Sequence, residues 1–301
     1  MVDFAAVKRN RTDLSKLVED AKKSAGGNAD RDAKDERFWN PSRDKAGNGY
    51  AVVRFLPSKE ENGTPWVRYW DHAFKGPTGQ WYIEKSLTSL GQNDPLSELN
   101  MKMWNSGDDS QKKIVSSRKR NLRYVANVLI VADQLNPENE GQVKLYRFGA
   151  KIFDKIKGAM QPQFPDEKPI NPFDMWAGAD FVLKISSESV MGRLMPKYDA
   201  SYFKAPSELF DGDEAKLEVL FDKQYPLGEW VDPANYKSYD ELRTRLNLVL
   251  GESAPRTVRE TVSLDERAPA PTLKSAENTQ LDASDEDDTM SFFAKMAAGD
   301  D

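Results

Sequence analysis

Short runs of β-branched and aromatic residues, separated by polar intervals with turn residues, predict a chain built mainly from strands. YAVVRFLP, Tyr50 to Pro57, stops at proline; WVRYWDHAF, Trp66 to Phe74, and WYIE, Trp81 to Glu84, flank the turn KGPTGQ. YVANVLIVAD, Tyr124 to Asp133, is the most apolar segment and the candidate centre of a sheet. NPENEG follows as a turn, and VKLYRFG, Val143 to Gly149, alternates as its hairpin partner. ADFVLKISS, Ala179 to Ser187, is a further strand beyond a proline-rich loop at 161–176.

Helical spacing occurs in three places. Ile152, Phe153, Ile156 and Met160 share one face of 150–160. Tyr239, Leu242, Leu246, Val249 and Leu250 form a stripe that ends at Gly251, a candidate C-cap. Leu14, Leu17 and Val18 follow a candidate cap at Thr12 or Asp13, in a stretch too short to hold much helix alone. Residues 86–113 are polar without a clear period. The expected class is mainly β with helical additions, a small barrel or curled sheet with insertions; the five-stranded oligonucleotide-binding (OB) barrel is one such form. The expected division is an arm at 1–20, a lead-in linker at 21–48, a core at 49–251 with an insertion at 86–115, and a tail at 252–301.

Charge sharpens this division. The net charge of the 301-residue chain is −6, but the last 25 residues hold eight acids against Lys295 and carry −7, which leaves +1 for residues 1–276. The composition beyond 252 cannot offset its ordering entropy, so disorder is expected there. The chain has no cysteine, which excludes disulfides, thiolate nucleophiles and cysteine-held metals. No secretory signal and no long apolar run is present, so an intracellular protein without a membrane partner is expected. The single histidine, His72, has only Asp71, Glu84, Asp94 and Glu98 as possible companions and reads as a packed residue. No nucleophile elbow or phosphate-binding glycine loop occurs, and the acids Asp199, Asp211, Asp213 and Glu214 read as solvated, so no catalysis is expected.

The strongest chemical signal is KKIVSSRKRNLRY. Lys112, Lys113, Arg118, Lys119, Arg120 and Arg123 lie within twelve residues without an acid, directly before Tyr124. Such a run repels itself unless an anion relieves it, and a polyphosphate backbone does so; a solvated charged face is the alternative. KRNR at Lys8, Arg9 and Arg11 is similar to KRNLR at 119–123, which suggests two sites competing for one kind of anion or a chance likeness of basic strings. Aromatic residues stand beside bases at Arg68, Tyr69 and Trp70, at Tyr146, Arg147 and Phe148, and from Tyr198 to Phe203. Cations that track phosphates beside rings that stack on bases make a groove for single-stranded nucleic acid. Most strand aromatics belong to the core, yet alternation cannot turn Trp66, Tyr69, Trp70 and Phe74 all to one face.

VVRFLPSK at 52–59, GQWYIE at 79–84, ANVLIV at 126–131, NPENEGQV at 136–143, YRFGAKIFDKI at 146–156, ADFVLK at 179–184 and YKSYDEL at 236–242 occur in order. With these stretches the chain resembles the single-stranded DNA-binding (helix-destabilising) proteins of T-even-type bacteriophages. The resemblance implies an OB-fold core that coats single-stranded DNA in phage replication, recombination and repair, in the host cell cytoplasm. It implies that the arm, through Lys8, Arg9, Arg11 and Thr12, mediates cooperative self-association. It further implies that the acidic tail recruits replication and recombination proteins and covers the cleft when DNA is absent. On chemistry alone, an RNA-binding protein or a protein-interaction scaffold remains as the alternative. The family's zinc is held by one histidine and three cysteines. Here His72 matches, but the cysteine positions fall on Ser86, Leu96 and Leu99, so no metal and no other cofactor is expected.

Overall fold

The computed structural model describes residues 35–60, 63–190 and 193–252. The expected arm helix, the Lys8–Thr12 motif and the acidic tail lie outside these residues. Nine strands occur among the described residues: β1 (Phe38–Trp39), β2 (Gly49–Phe55), β3 (Trp66–Lys75), β4 (Trp81–Lys85), β5 (Asn121–Asp133), β6 (Val143–Phe148), β7 (Phe181–Val190), β8 (Arg193–Lys197) and β9 (Tyr202–Phe203). Five α-helices accompany them: α1 (Pro95–Asn105), α2 (Asp109–Ser117), α3 (Ala150–Met160), α4 (Glu214–Asp222) and α5 (Tyr239–Leu250).

The strands form one mixed sheet in the order β1-β6-β5-β2-β7-β8, which does not close on itself; β3 pairs with β4 and β5, and β9 with β7. The expected hairpin of β5 and β6 is present, antiparallel, with Tyr124 opposite Phe148. β1 is a difference from the sequence reading, because part of the expected linker joins β6 in parallel and buries Trp39. Trp39 Nε1 donates to Asp133 Oδ2 at 2.8 Å, so the indole enters the core without an orphaned donor.

The chain divides into two compact units, and β3 passes from the first to the second at His72. The first takes in, among the described residues, 35–71, Lys85–Gln92 and Arg120–Tyr236. Its central strand is β5, buried without interruption from Leu122 to Ile130 because both of its faces are covered. Leu122, Tyr124, Ala126, Val128 and Ile130 join the main core, with Phe55, Trp66, Phe148 and Phe153 among its rings. On the other face Val125 packs with Tyr69, Leu145 and Trp230, and Leu129 with Leu56, Val143 and Met175. That second layer also encloses Arg54, which bonds Asp180 at 3.3 Å and the carbonyls of Asp174 and Ser207 at 3.1 and 2.6 Å. Burial pushes its pKa down, opposed by Asp180, and a buried guanidinium is tolerable only with such partners.

The second unit takes in, among the described residues, His72–Glu84, Asn93–Lys119 and 237–252. Phe74, Tyr82, Leu96, Leu246 and Val249 form its core, with Leu99 and Leu250 against it. The interval 86–113, without a period in sequence, contains α1 and the start of α2. Their start signals are Asp94, which caps Ser97 N–H at 2.9 Å ahead of Pro95, and Asp108, which caps Ser110 N–H at 2.8 Å. Each helix is short and mostly polar, so its apolar spacing was too sparse to register.

α5 spans the predicted stripe. Ser238 and Glu241 close a capping box at its start, and Gly251 caps its end with φ 75°. A side chain at Gly251 would strain this left-handed backbone, and its Cβ would lie 3.1 Å from Thr78 Cγ2. Gly251→Ala is expected to lower stability by about 1–2 kcal/mol, read as a fall in the denaturation midpoint at unchanged m.

Candidate nucleic-acid interface

The pairing of β3 with β5 sets the geometry of the candidate site in the first unit. Trp70 lies opposite Leu122, so Arg120, two residues earlier, is its diagonal neighbour on the same face. The Arg120 guanidinium sits 4.1 Å over the Trp70 ring, close enough for a cation–π contact. Trp70 is half-buried at the margin of the main core. Its backbone is held from the other side, where Trp70 N–H donates to Ser89 Oγ at 2.7 Å and Ser86 N–H to the Trp70 carbonyl at 2.9 Å. Arg68 shares the Trp70 face by strand alternation, lies opposite Tyr124 and is half-buried. Tyr198 and Phe203 are also half-buried against the same core.

Other sequence candidates are built into the protein's interior. Tyr124, Tyr146 and Phe148 are buried rings of the main core; Tyr124 stacks on Phe153 at 3.9 Å between ring centroids. Tyr69 is buried on the opposite face with Val125 and Trp230. Arg123 also points away from the Trp70 face, and its Nε donates to Asp71 Oδ2 at 2.8 Å; Asp71 holds Asn121 with its other oxygen at 2.9 Å. These five residues tie β3, β5 and β6 together, and a ring enclosed on both faces cannot stack on a base. Alternation along β5 separates Arg123 from Leu122 and Tyr124 in the sequence, but only the second covering layer buries it. Arg147 is half-buried on that layer's side, 4.5 Å over Phe38.

The basic run itself is divided by the fold. Lys112 and Lys113 lie on α2 in the second unit, Lys113 exposed and Lys112 paired with Asp109 at 3.1 Å. Arg118 ends that helix and turns inward, its Nε donating to Asn100 Oδ1 at 2.9 Å while Asn100 Nδ2 donates to the Arg118 carbonyl. Burial lowers its pKa, and it serves as a strut between α1 and α2. Lys119 follows, half-buried. Sequence reading missed Lys85, whose ammonium is 5.0 Å from the Tyr236 ring and 5.9 Å from Tyr69. In the sequence it is a single base after WYIE, and only the tertiary fold brings aromatic partners to it.

His72 is enclosed in the second unit. Its Nε2 is 3.1 Å from Asp94 Oδ1, both side chains are almost fully buried, and Nδ1 makes no hydrogen bond among the described residues. The donor set does not fit a tetrahedral zinc. Leu96 is wholly buried among Phe74, Tyr82, Leu246 and Val249, Leu99 packs on the same cluster, and neither can ligate. Ser86 is buried with its hydroxyl 3.0 Å from that of Thr88.

Comparison with known proteins bears on the same residues. A family model described as gp32 DNA binding protein like matches residues 47–250. The single-stranded DNA-binding protein of Enterobacteria phage T2 is 33% identical over 283 residues, which cover 93% of this chain and 92% of that protein. Its counterpart in Enterobacteria phage T4 is 34% identical over 267 residues, covering 88% and 87%. That of Escherichia phage SV14 is 37% identical over 84 residues, covering 28% of this chain and 74% of that protein.

Proposed function

Because the chain belongs to the gp32-like DNA-binding protein family, we propose that it coats single-stranded DNA in phage replication, recombination and repair, without catalysis. The observation that carries the reading is the Arg120–Trp70 pair, which offers a cation and a flat ring at one spot of the sheet margin. Bases stack on indole and guanidinium planes with little regard to identity, while the charge attracts phosphate. Arg68, Tyr198 and Phe203 extend this face within the first unit; Lys113 and Lys119, which belong to the second unit, are read by themselves as further phosphate contacts. The sheet is read as an OB-type barrel with insertions, supported by a single core cluster drawn from β1, β2, β3, β5, β6 and β7. The arm at Lys8, Arg9, Arg11 and Thr12 is assigned to contacts between protomers along DNA, and the acidic tail to replication and recombination proteins. An acidic segment tethered to a cationic face competes with DNA at high local concentration, which gives the tail a second role. The host cytoplasm is the setting; among the described residues no helix is long and apolar enough to cross a membrane.

The test is quenching of tryptophan emission by oligo-dT across a salt series. Log affinity should fall linearly with log salt by about 0.7 for each neutralised phosphate. A variant with Lys113→Ala and Lys119→Ala should show a slope shallower by about 0.7 for each of the two lysines that meets a phosphate. An unchanged slope would remove both lysines from the interface. A matched RNA oligonucleotide that bound more tightly would overturn the choice of DNA.

A further inference from the structure

We propose that Tyr50, Lys184 and Tyr202 form a second contact surface for single-stranded DNA, on the sheet face turned away from the main core. This inference rests on the DNA-binding reading above and extends it to residues outside the basic run. The register of β2 against β7 sets Tyr50 directly opposite Lys184. On the other side of β7, β9 sets Tyr202 opposite Val182, two residues from Lys184 and therefore on the same face. Their strand neighbours Ala51, Phe181, Leu183 and Phe203 turn the other way, into or against the main core.

The layer that covers this face buries Val52 and Arg54 but ends before Tyr50. Tyr50 is left 41% exposed and Tyr202 48%, with Lys184 exposed between them and its ammonium 5.1 Å from the Tyr202 ring. The strands are pinned here, since Ser201 Oγ accepts from Lys184 N–H at 2.9 Å and donates to the Lys184 carbonyl at 3.1 Å. The backbone positions of the two tyrosines are therefore two strand spacings apart across the sheet and two residues apart along it, roughly 12 Å, on a fixed backbone with one cation between them. This arrangement suits two unpaired bases joined through an anionic backbone, with each base on a ring and the ammonium on a phosphate. Duplex DNA, whose bases are already stacked, cannot use the rings.

The experiment compares wild-type protein, Tyr50→Ala/Tyr202→Ala, Tyr50→Phe/Tyr202→Phe and Trp70→Ala on a long oligo-dT. Wild-type protein is also photocrosslinked to the same oligonucleotide carrying 5-iododeoxyuridine, and the crosslinked peptides are mapped. The double alanine variant should bind about 25-fold more weakly or worse, since each of the two stacked bases contributes about 5- to 150-fold. The double phenylalanine variant should bind as wild type, because stacking uses the ring and not the hydroxyl. Crosslinks should fall on the peptides holding Tyr50 and Tyr202. Unchanged affinity of the double alanine variant without such crosslinks, beside weakened binding by Trp70→Ala, would overturn this surface and leave the DNA-binding reading standing. Equal loss in the two double variants would overturn stacking as its mode of contact. No binding by wild-type protein would overturn both readings at once.

Discussion

Replacing Trp70 by alanine is expected to weaken binding to oligo-dT by about 5- to 150-fold, the range of one lost base stack. The ring combines three properties. It is half-buried and so reaches the surface, it carries a guanidinium at 4.1 Å, and both flanks of its backbone are tied down. Fixed backbone on both sides limits the entropy lost when a base docks. Trp70→Phe should retain most of the affinity. Arg120→Ala should lose less affinity than Trp70→Ala but also make the salt slope shallower, because it removes a charge as well as a stacking plane. The two changes should be non-additive, by about 0.5–1 kcal/mol if the cation–π contact operates in the bound state. Titration of the wild type, the three single variants and the double alanine variant at several salt concentrations measures each of these effects. Full affinity in Trp70→Ala, with a normal melt, would move the interface elsewhere.

Asp94→Ala is expected to destabilise the second unit by about 2–4 kcal/mol. About 1 kcal/mol is the lost cap on α1, and about 1–3 kcal/mol comes from leaving His72 Nε2 buried without its partner. Asp94→Asn should cost less, because asparagine also caps helices and its amide oxygen can still accept from the imidazole. Hydrogen exchange localises the effect. Amides of α1 should exchange faster in Asp94→Ala, while those of β5 in the other unit keep their protection. A chelator should leave the melt of the wild-type protein unchanged, since Leu96 and Leu99 contribute packing in the same unit as His72 and cannot ligate a metal. Stoichiometric metal whose removal unfolds residues 86–113 would refute this account.

Strand positions with strong patterns were legible from the sequence. The runs from Tyr50, Trp66, Trp81 and Tyr124, the hairpin at 136–141, the helix at 150–160 and the Gly251 cap all occur where periodicity and turn chemistry put them. β1, α1 and α2 were not legible. Two residues are too few for a strand signal, and short helices that bury only a few apolar residues carry no visible period. Their punctuation was present all the same, as aspartates at positions 94 and 108.

The candidate site divides along the same line. Residue types, their charge and their order along the chain were enough to propose a surface for single-stranded nucleic acid and to remove cysteine-held metal from it. They could not say which side chains reach that surface, because alternation assigns a residue to a face without saying whether another layer covers the face. Covering layers on both sides of β5 took Tyr69, Arg123, Tyr124, Tyr146 and Phe148 inward, and the helix pair took Arg118. Where cover stopped, at Trp70 and at Tyr50, rings were left within reach of solvent, one beside Arg120 and one opposite Lys184. Local patterning fixes which way a side chain points; burial depends on segments distant in sequence, and only the folded chain brings those together.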